Sequence, residues 1–332
     1  ISLPMVNNQV EHGKAEIARY KIPEGDVVAM DADFSPNSIA LFLALTGHRC
    51  ILVPLASVIS SKKEEFIDVA KVQHIFVVSN DDKVEYKYLD IKSEYEFYSE
   101  LRKRLHPGLV LFSSGSTGKS KAAVHDLNFI LEKFKVPRHS FRSISFLLYD
   151  HIGGVNTMLY NLANGGCIVT VNERTPDKVL EAVEKYKVDL LPTSPTFINL
   201  ILLSEAYKKY DIQSLKTVTY GTETMPESTL KLFNNLFPNI RLLQTYGLSE
   251  IGIMRSKSES SDSLWVKIGG EGFETRVVDN ILHIKASSAM LGYLNAPSPF
   301  TEDGWFVTGD EVEVKGEYFK ILGRKSDIIN VG

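Results

Sequence analysis

The chain has 332 residues, 44% hydrophobic and 23% charged, which suits one large domain or two to three subdomains with substantial cores. Its formal charge of −4 gives no reason to expect binding to nucleic acid or an anionic membrane. No run reaches the ~20 apolar residues that span a bilayer and no signal peptide opens the chain, so a cytoplasmic protein without membrane insertion is expected.

The first two-thirds alternates short apolar strands with amphipathic helices. Strands are predicted at Val27–Met30, Ile51–Val53, Ile75–Val78, Val110–Phe112, Ser143–Leu147, Ile168–Val171, Leu190–Pro192, Thr217–Tyr220 and Arg241–Gln244. They are rich in Val, Ile and Leu with little polar alternation, as in parallel strands covered on both faces. Helices are predicted at Ser38–Thr46, Lys62–Lys71, Leu127–Lys133, Pro176–Lys185, Thr196–Glu205 and Glu227–Leu236. Thr175 suits an N-cap, and Pro176 and Pro226 suit first helical positions. Residues Asn80–Arg104, charged and tyrosine-rich, read as an exposed helix-and-loop connection. Cys50 and Cys167 lie in apolar runs and read as buried, reduced strand residues rather than a disulfide or metal site. After Ile253 the texture shifts to short alternating pieces separated by Gly, Asp and Asn. Asp279-Asn280 and Lys315-Gly316 are predicted hairpin turns, so this part reads as a small antiparallel barrel or sheet. The fold class is therefore α/β, with layered parallel-sheet subdomains and flanking helices over 1–250 and a small antiparallel β-barrel over 251–322.

The most informative segment is Leu109–Ala122, LVLFSSGSTGKSKA. An apolar strand stops at six small or hydroxyl residues, Ser113, Ser114, Gly115, Ser116, Thr117 and Gly118, and Lys119 and Lys121 follow. Small residues let backbone N–H groups close around an anion, hydroxyls add donors, and lysines add mobile positive charge. The segment reads as a grip on a nucleotide polyphosphate. A phosphate-loop NTPase has the pattern G-x-x-x-x-G-K-S/T, whose opening glycine falls here at Ser113. A serine- and glycine-rich linker is the bland alternative. The single histidines His48, His74, His106, His125, His139 and His283 show no metal-ligand spacing and read as structural or surface groups.

Three further motifs follow in order: Gln244-Thr245-Tyr246-Gly247-Leu248-Ser249-Glu250, Thr308-Gly309-Asp310 and Gly323-Arg324-Lys325-Ser326-Asp327. Together with the Ser/Gly loop this ordered set resembles the adenylate-forming superfamily of acyl-CoA synthetases, luciferases, aryl-acid ligases and amino-acid adenylation domains. The resemblance runs from about Asp26 to Gly332. The loop is similar to the family's S/T-S-G-S/T-T-G-x-P-K-G, departing from it at Ser120 and Ala122, where the family has proline and glycine.

The resemblance implies ATP and Mg²⁺ as cofactors and a site whose parts divide the work of acyl-adenylate formation. Residues 113–118 would cradle the β- and γ-phosphates, with Lys121 in the family's lysine position. Gly221, Thr222 and Glu223 would lie against adenine, Thr245 and Tyr246 would complete that wall, and Tyr246 would stack on the base. Gly247 would permit close approach of the acyl group, Ser249 would donate to the α-phosphate, and Glu250 would bind Mg²⁺. Asp310 would accept from the ribose hydroxyls and Arg324 would bind ribose or phosphate. Lys121, Ser249, Glu250 and His151 are the catalytic candidates. The acid pocket is implied to involve Asp150, His151, Asn156, Ser194, Thr196, Tyr220 and Gly247. In one alignment of Tyr149-Asp150-His151-Ile152-Gly153-Gly154, His151 sits beside the acyl carboxylate. In the other, Asp150 pairs with a substrate ammonium as in amino-acid adenylation domains.

The implied reaction is ATP-dependent formation of an acyl-adenylate and pyrophosphate. Transfer then follows to coenzyme A or to the phosphopantetheine thiol of an acyl or peptidyl carrier protein. An amino-acid adenylation enzyme, a phosphate-loop kinase or ATPase, and a catalytically silent nucleotide-binding homologue are the competing readings. Residues 323–332 are expected to form a hinge to a further, lysine-bearing C-terminal domain, with Ser326 at the pivot. The chain, which opens at Ile1, is expected to be a piece cut at both ends and weakly active alone.

Overall fold

The computed structural model describes residues 1, 3–56, 62–114 and 119–324, with the side chains of residues 3–5, 7 and 114 left aside. The predicted residues 115–118 of the anion loop and Ser326 at the hinge therefore lie outside the described residues.

The first layer begins with α1 (Leu3–Arg19), which the sequence reading did not foresee and which packs on α2. Next come β1 (Val27–Ala32), α2 (Pro36–Gly47), β2 (Ile51–Leu55), α3 (Lys63–Ala70) and β3 (His74–Val78). Then follow β4 (Val84–Tyr88), α4 (Glu96–Arg104), β5 (Gly108–Ser114), β6 (Ser120–Asp126) and α5 (Leu127–Glu132). β1 pairs in parallel with β2 and β3, and β2 with β5, as their continuous apolar runs require. Two strands break the parallel rule. β4 turns the expected loop at 80–104 into an antiparallel edge, because V-E-Y-K-Y alternates as an edge strand does. β6 returns antiparallel from β5, in register from Gly108 and Asp126 to Ser114 and Ser120. α2 starts where a serine can hold its first turn: Ser35 and Ser38 form a reciprocal capping box ahead of Pro36.

The second layer comprises β7 (Arg142–Ile144), α6 (Ile152–Ala163), β8 (Cys167–Val169), α7 (Pro176–Tyr186), β9 (Leu190–Thr193), α8 (Pro195–Ser204), β10 (Thr217–Tyr220), α9 (Glu227–Leu236) and β11 (Arg241–Gln244). Its five strands run parallel in the order β11-β10-β9-β7-β8. Thr175 and Ser194 cap α7 and α8 with their hydroxyls, each followed by proline. A two-stranded turn, β12 (Gly247–Leu248) and β13 (Gly252–Ile253), leads out of this layer.

The third sheet is antiparallel, built from β14 (Arg255–Ser258), β15 (Trp265–Gly269), β16 (Phe273–Val278), β17 (Ile281–Ala286), β19 (Phe306–Lys315) and β20 (Tyr318–Arg324). Between β17 and β19, the short strand β18 (Gly292–Tyr293) leaves this sheet and pairs with β6 of the first. Asp279 and Asn280 form the predicted turn, both at positive φ, between Val278 and Ile281. The second turn falls one residue later than expected, at Gly316-Glu317, because Lys315 still pairs with Tyr318.

Each sheet has its own buried core: two flank the first sheet, one lies under α7–α9, and one fills the antiparallel sheet around Ile251, Leu282 and Ile284. Of the cysteines, Cys50 is buried just before β2 and burial pushes its thiol up to about 12, whereas Cys167 in β8 is only half-buried.

Candidate functional site: two cavities that share a floor

The ends of β10 and β11 aim at one place, as the carboxyl edges of parallel strands do. Gly221–Thr224, after β10, and Gln244–Leu248, from the last residue of β11 onward, line a cleft of about 340 Å³ whose far wall is Asp310 of β19 and Ile321–Arg324 of β20. The Tyr246 hydroxyl donates to Asp310, and Arg324 Nε lies 3.7 Å from the other Asp310 oxygen. Thr308 Oγ1 holds the Asp310 backbone N–H at 2.9 Å, fixing the carboxylate's approach. Both Tyr246 and Asp310 are buried, while Arg324 stays half exposed. Burial and the Asp310 carboxylate hold the Tyr246 phenol well above its ordinary value. Tyr246 is thus tied into the wall by its hydroxyl, a contact that spacing alone did not foretell.

Glu250 lies four residues beyond Tyr246. Its Oε1 accepts from Ser113 Oγ at 3.1 Å and from Tyr293 Oη at 2.7 Å. The first bond joins the strand that enters the Ser/Gly loop to a glutamate 137 residues away. Lys121 stands opposite Ser113 across the β5–β6 pair, and its Nζ lies 5.4 Å from the centre of the Tyr293 ring. Burial and the Glu250 carboxylate raise the Tyr293 phenol, while Arg324 pulls it back. Tyr293 was missed because it sits alone in β18 with no motif around it. His125, read as a structural histidine, supports the same turn: its buried Nε2 meets the Ser249 carbonyl, and burial lowers its pKa. The Ser249 hydroxyl is not among the groups lining the cleft.

A second cavity, of about 300 Å³ and mostly apolar, runs along α6 and beneath β9–β11. Phe141, Leu147, Tyr160, Leu190, Pro192, Leu243 and Ile253 supply its apolar walls, with His151 and Asn156 among its polar groups. His151 caps α6: its Nδ1 accepts the Gly153 N–H at 3.4 Å, and surrounding protein pushes its pKa below the imidazole norm. Both effects favour the neutral ring with its proton on Nε2.

Gly221, Thr222, Thr245 and Gly247 line both cavities. A Cβ at Gly221 would lie 2.7 Å from Thr245 Oγ1, and one at Gly247 would lie 2.4 Å from Ile253 Cδ1 and 2.8 Å from the Gly252 carbonyl. The shared floor therefore depends on two residues without side chains, Gly221 and Gly247.

Four predicted pocket residues stand elsewhere. Ser194 is spent as the α8 N-cap, and the Thr196 backbone N–H is held by Glu223 Oε1 at 2.9 Å. Tyr220 is buried under the floor without lining either cavity. Asp150, just ahead of the α6 cap, also lines neither; its charged neighbours are Asp33 and Arg174, which already form a bidentate pair at 2.8 Å. Burial raises the Asp150 pKa, with Asp33 adding to it.

The phosphate-loop NTPase reading also fails on geometry. That motif delivers its anion to a helix N-terminus, whereas β6 follows the loop here. For magnesium, the described residues hold no cluster of three His, Cys, Asp or Glu side chains. A single carboxylate such as Glu250 would still be compatible with Mg²⁺, because that ion takes one or two carboxylates and completes its shell with water and substrate phosphates. Among the described residues no helix is long and apolar enough to cross a membrane.

The model of the AMP-binding enzyme family matches residues 23–280. A 4-coumarate–CoA ligase-like protein of Arabidopsis thaliana is 27% identical over 255 residues, 67% of this chain and 45% of that protein. Acyl-CoA synthetase 7 of Caenorhabditis elegans is 27% identical over 258 residues, 66% of this chain and 47% of that protein. The chain thus spans under half the length of these relatives. Among solved structures, the anthranilate CoA ligase AuaEII in complex with anthranoyl-AMP superposes with a TM-score of 0.79 at 17% identity, over 98% of this chain and 72% of that one. The N-terminal domain of FACL13 from Mycobacterium tuberculosis gives 0.76 at 15% identity, over 95% and 91%. These likenesses show the fold.

Proposed function

Because the chain belongs to the AMP-binding enzyme family, we propose that the whole protein activates a carboxylic acid with ATP, releasing pyrophosphate, and then passes the acyl group to a thiol. Coenzyme A is the acceptor favoured by the named relatives, two of which are a CoA ligase-like protein and an acyl-CoA synthetase. A carrier-protein phosphopantetheine offers the same thiol chemistry. The observation that carries the reading is the shared floor, with a polar cleft on one side and an apolar cavity on the other meeting at Gly221, Thr222, Thr245 and Gly247.

In the reading's geometry, the ribose hydroxyls donate to Asp310, already anchored by Tyr246, and Arg324 neutralises charge beside it. Lys121 and the loop entered through Ser113 would hold the polyphosphate, and Glu250 would hold Mg²⁺, whose charge would neutralise the leaving pyrophosphate. The acid lies in the apolar cavity with its carboxylate beside Gly247 and the neutral His151. Fixing both reactants across one floor turns an encounter in solution into an in-line displacement at the α-phosphorus.

ATP–pyrophosphate exchange with the full-length protein, screened over carboxylic and amino acids, tests this. Acid-dependent exchange with AMP as the eventual product is expected. Exchange driven only by amino acids and abolished by Asp150→Ala would install the amino-acid adenylation reading instead. γ-Phosphate release with no AMP would remove the ligase assignment.

A further inference from the structure

The apolar cavity continues past Asn156 and Ile253. These two residues, with Tyr160 and Thr245, also line an adjoining hollow of about 240 Å³. Lys133 stands on the wall of that hollow, in the 3₁₀ turn Lys133–Lys135 that ends α5. Its Nζ donates to Asn156 Oδ1 and, at 2.9 Å, to the Ile253 carbonyl, and it lies 5.0 Å from the Phe134 ring. All three partners are neutral. Among the described residues no carboxylate pairs with it, whereas its neighbour Lys135 is paired on the surface with Glu132. Arg138 and Arg255 line the same hollow, also without an ion pair among the described residues, and its lining includes no Asp or Glu.

Lys133 is half-buried, and a cation partly withdrawn from water costs free energy unless an anion meets it. Here burial, reinforced by Arg138, pushes the Lys133 ammonium down to about 8. An ammonium has three donors, and two are engaged. The two acceptors that position it are the same residues that divide the hollow from the acid cavity. A ligand tail extending along that cavity would approach Lys133 beside Asn156 and Ile253, the two residues its ammonium is bonded to. By contrast, the nucleotide cleft shares only Thr245 with the hollow.

We propose that this hollow is an anion subsite, and that the acid activated by the protein carries a second carboxylate at its far end, received by Lys133. The inference rests on the ligase reading above and narrows its substrate to dicarboxylic acids. Arg138 and Arg255 add positive potential that draws the distal carboxylate inward.

The test is pyrophosphate exchange by the full-length protein with straight-chain and aryl monocarboxylic acids, each compared with its counterpart bearing a terminal carboxylate. The wild-type kcat/KM is expected to favour one diacid over its monoacid partner by roughly tenfold to a hundredfold, the worth of a charge-assisted hydrogen bond. Lys133→Met should erase that preference while retaining exchange with the monoacid, and Lys133→Arg should restore part of it. A wild-type enzyme that prefers monoacids throughout overturns the proposal, and that ratio stands even if the methionine variant does not fold. An equal loss for both acids in Lys133→Met, or a change only in the KM for the thiol, overturns it too. If no acid supports exchange at all, the ligase reading itself has failed and takes this inference with it.

Discussion

The polar cleft and the apolar cavity share four residues, yet they are built by opposite rules. The cleft is polar and over-determined. Tyr246, Asp310, Thr308 and Arg324 hold one another, and Ser113, Glu250 and Tyr293 do the same beside them. The cavity presents a mostly apolar wall along α6 and β9–β11, with its polar groups, among them His151, Asn156, Asn161 and Arg241, scattered along it rather than tied into one network. Binding a constant reactant calls for preset polar geometry, whereas binding a variable one calls for shape, which side-chain size alone sets. Substitutions on the two sides should therefore fail differently.

The largest effect is expected at the cleft. Glu250→Gln removes the charge on which Ser113 and Tyr293 converge, and should lower exchange by roughly a hundredfold or more at every acid tested. A loss confined to one class of acid would place Glu250 on the cavity side instead. Next, Gly247→Val puts carbon where Ile253 and the Gly252 carbonyl already stand. It should obstruct both sides, raising the KM for ATP and for the acid together, and cost about 1–3 kcal/mol of stability by overpacking. An unaltered KM for the acid would mean that the two cavities do not communicate. Tyr246→Phe deletes only the hydroxyl on Asp310; exchange should fall about tenfold, with a stability loss near 1 kcal/mol in urea titration.

The smallest effect is a pH dependence. Burial lowers the pKa of His125 below 6.5, so the unfolded chain binds more protons on the acid side. The stability this group contributes is complete above its unfolded value and is lost as the pH falls through that window. Urea midpoints measured from about pH 7 to about pH 5 should decline, and His125→Gln should flatten that slope. An unchanged slope would show that other groups control it.

These differences also explain what the sequence revealed. The cleft was legible because its parts lie in short runs of chemically distinctive residues: Tyr246, Asp310 and Arg324 line it, and Ser113 and Glu250 meet each other outside its lining. The cavity was not. Ser194 and Thr196 follow β9 and look well placed for a pocket, but the start of α8 consumes the first as a cap and Glu223 the backbone of the second. Asp150 and His151 are adjacent, and only the turn into α6 decides that the histidine lines the cavity. Lys133 read only as the last residue of a predicted helix, and the 3₁₀ turn places it against Asn156 and Ile253. The strands were read well where they are buried on both faces, as in β1 and β2. β4 was lost because an edge strand of alternating charge and tyrosine resembles a loop, and β6 because the Ser/Gly loop masked the strand that follows it.

The central claim is that one nucleotide and one acid meet across Gly221, Thr222, Thr245 and Gly247. A crystal structure of the full-length protein with a non-hydrolysable acyl-adenylate analogue tests it most directly. The account predicts ribose on Asp310, the phosphate mimic beside Glu250 and Lys121, and the acyl group along α6 past His151. An analogue bound with its ribose away from Asp310, or its acyl chain outside the α6 cavity, would contradict it.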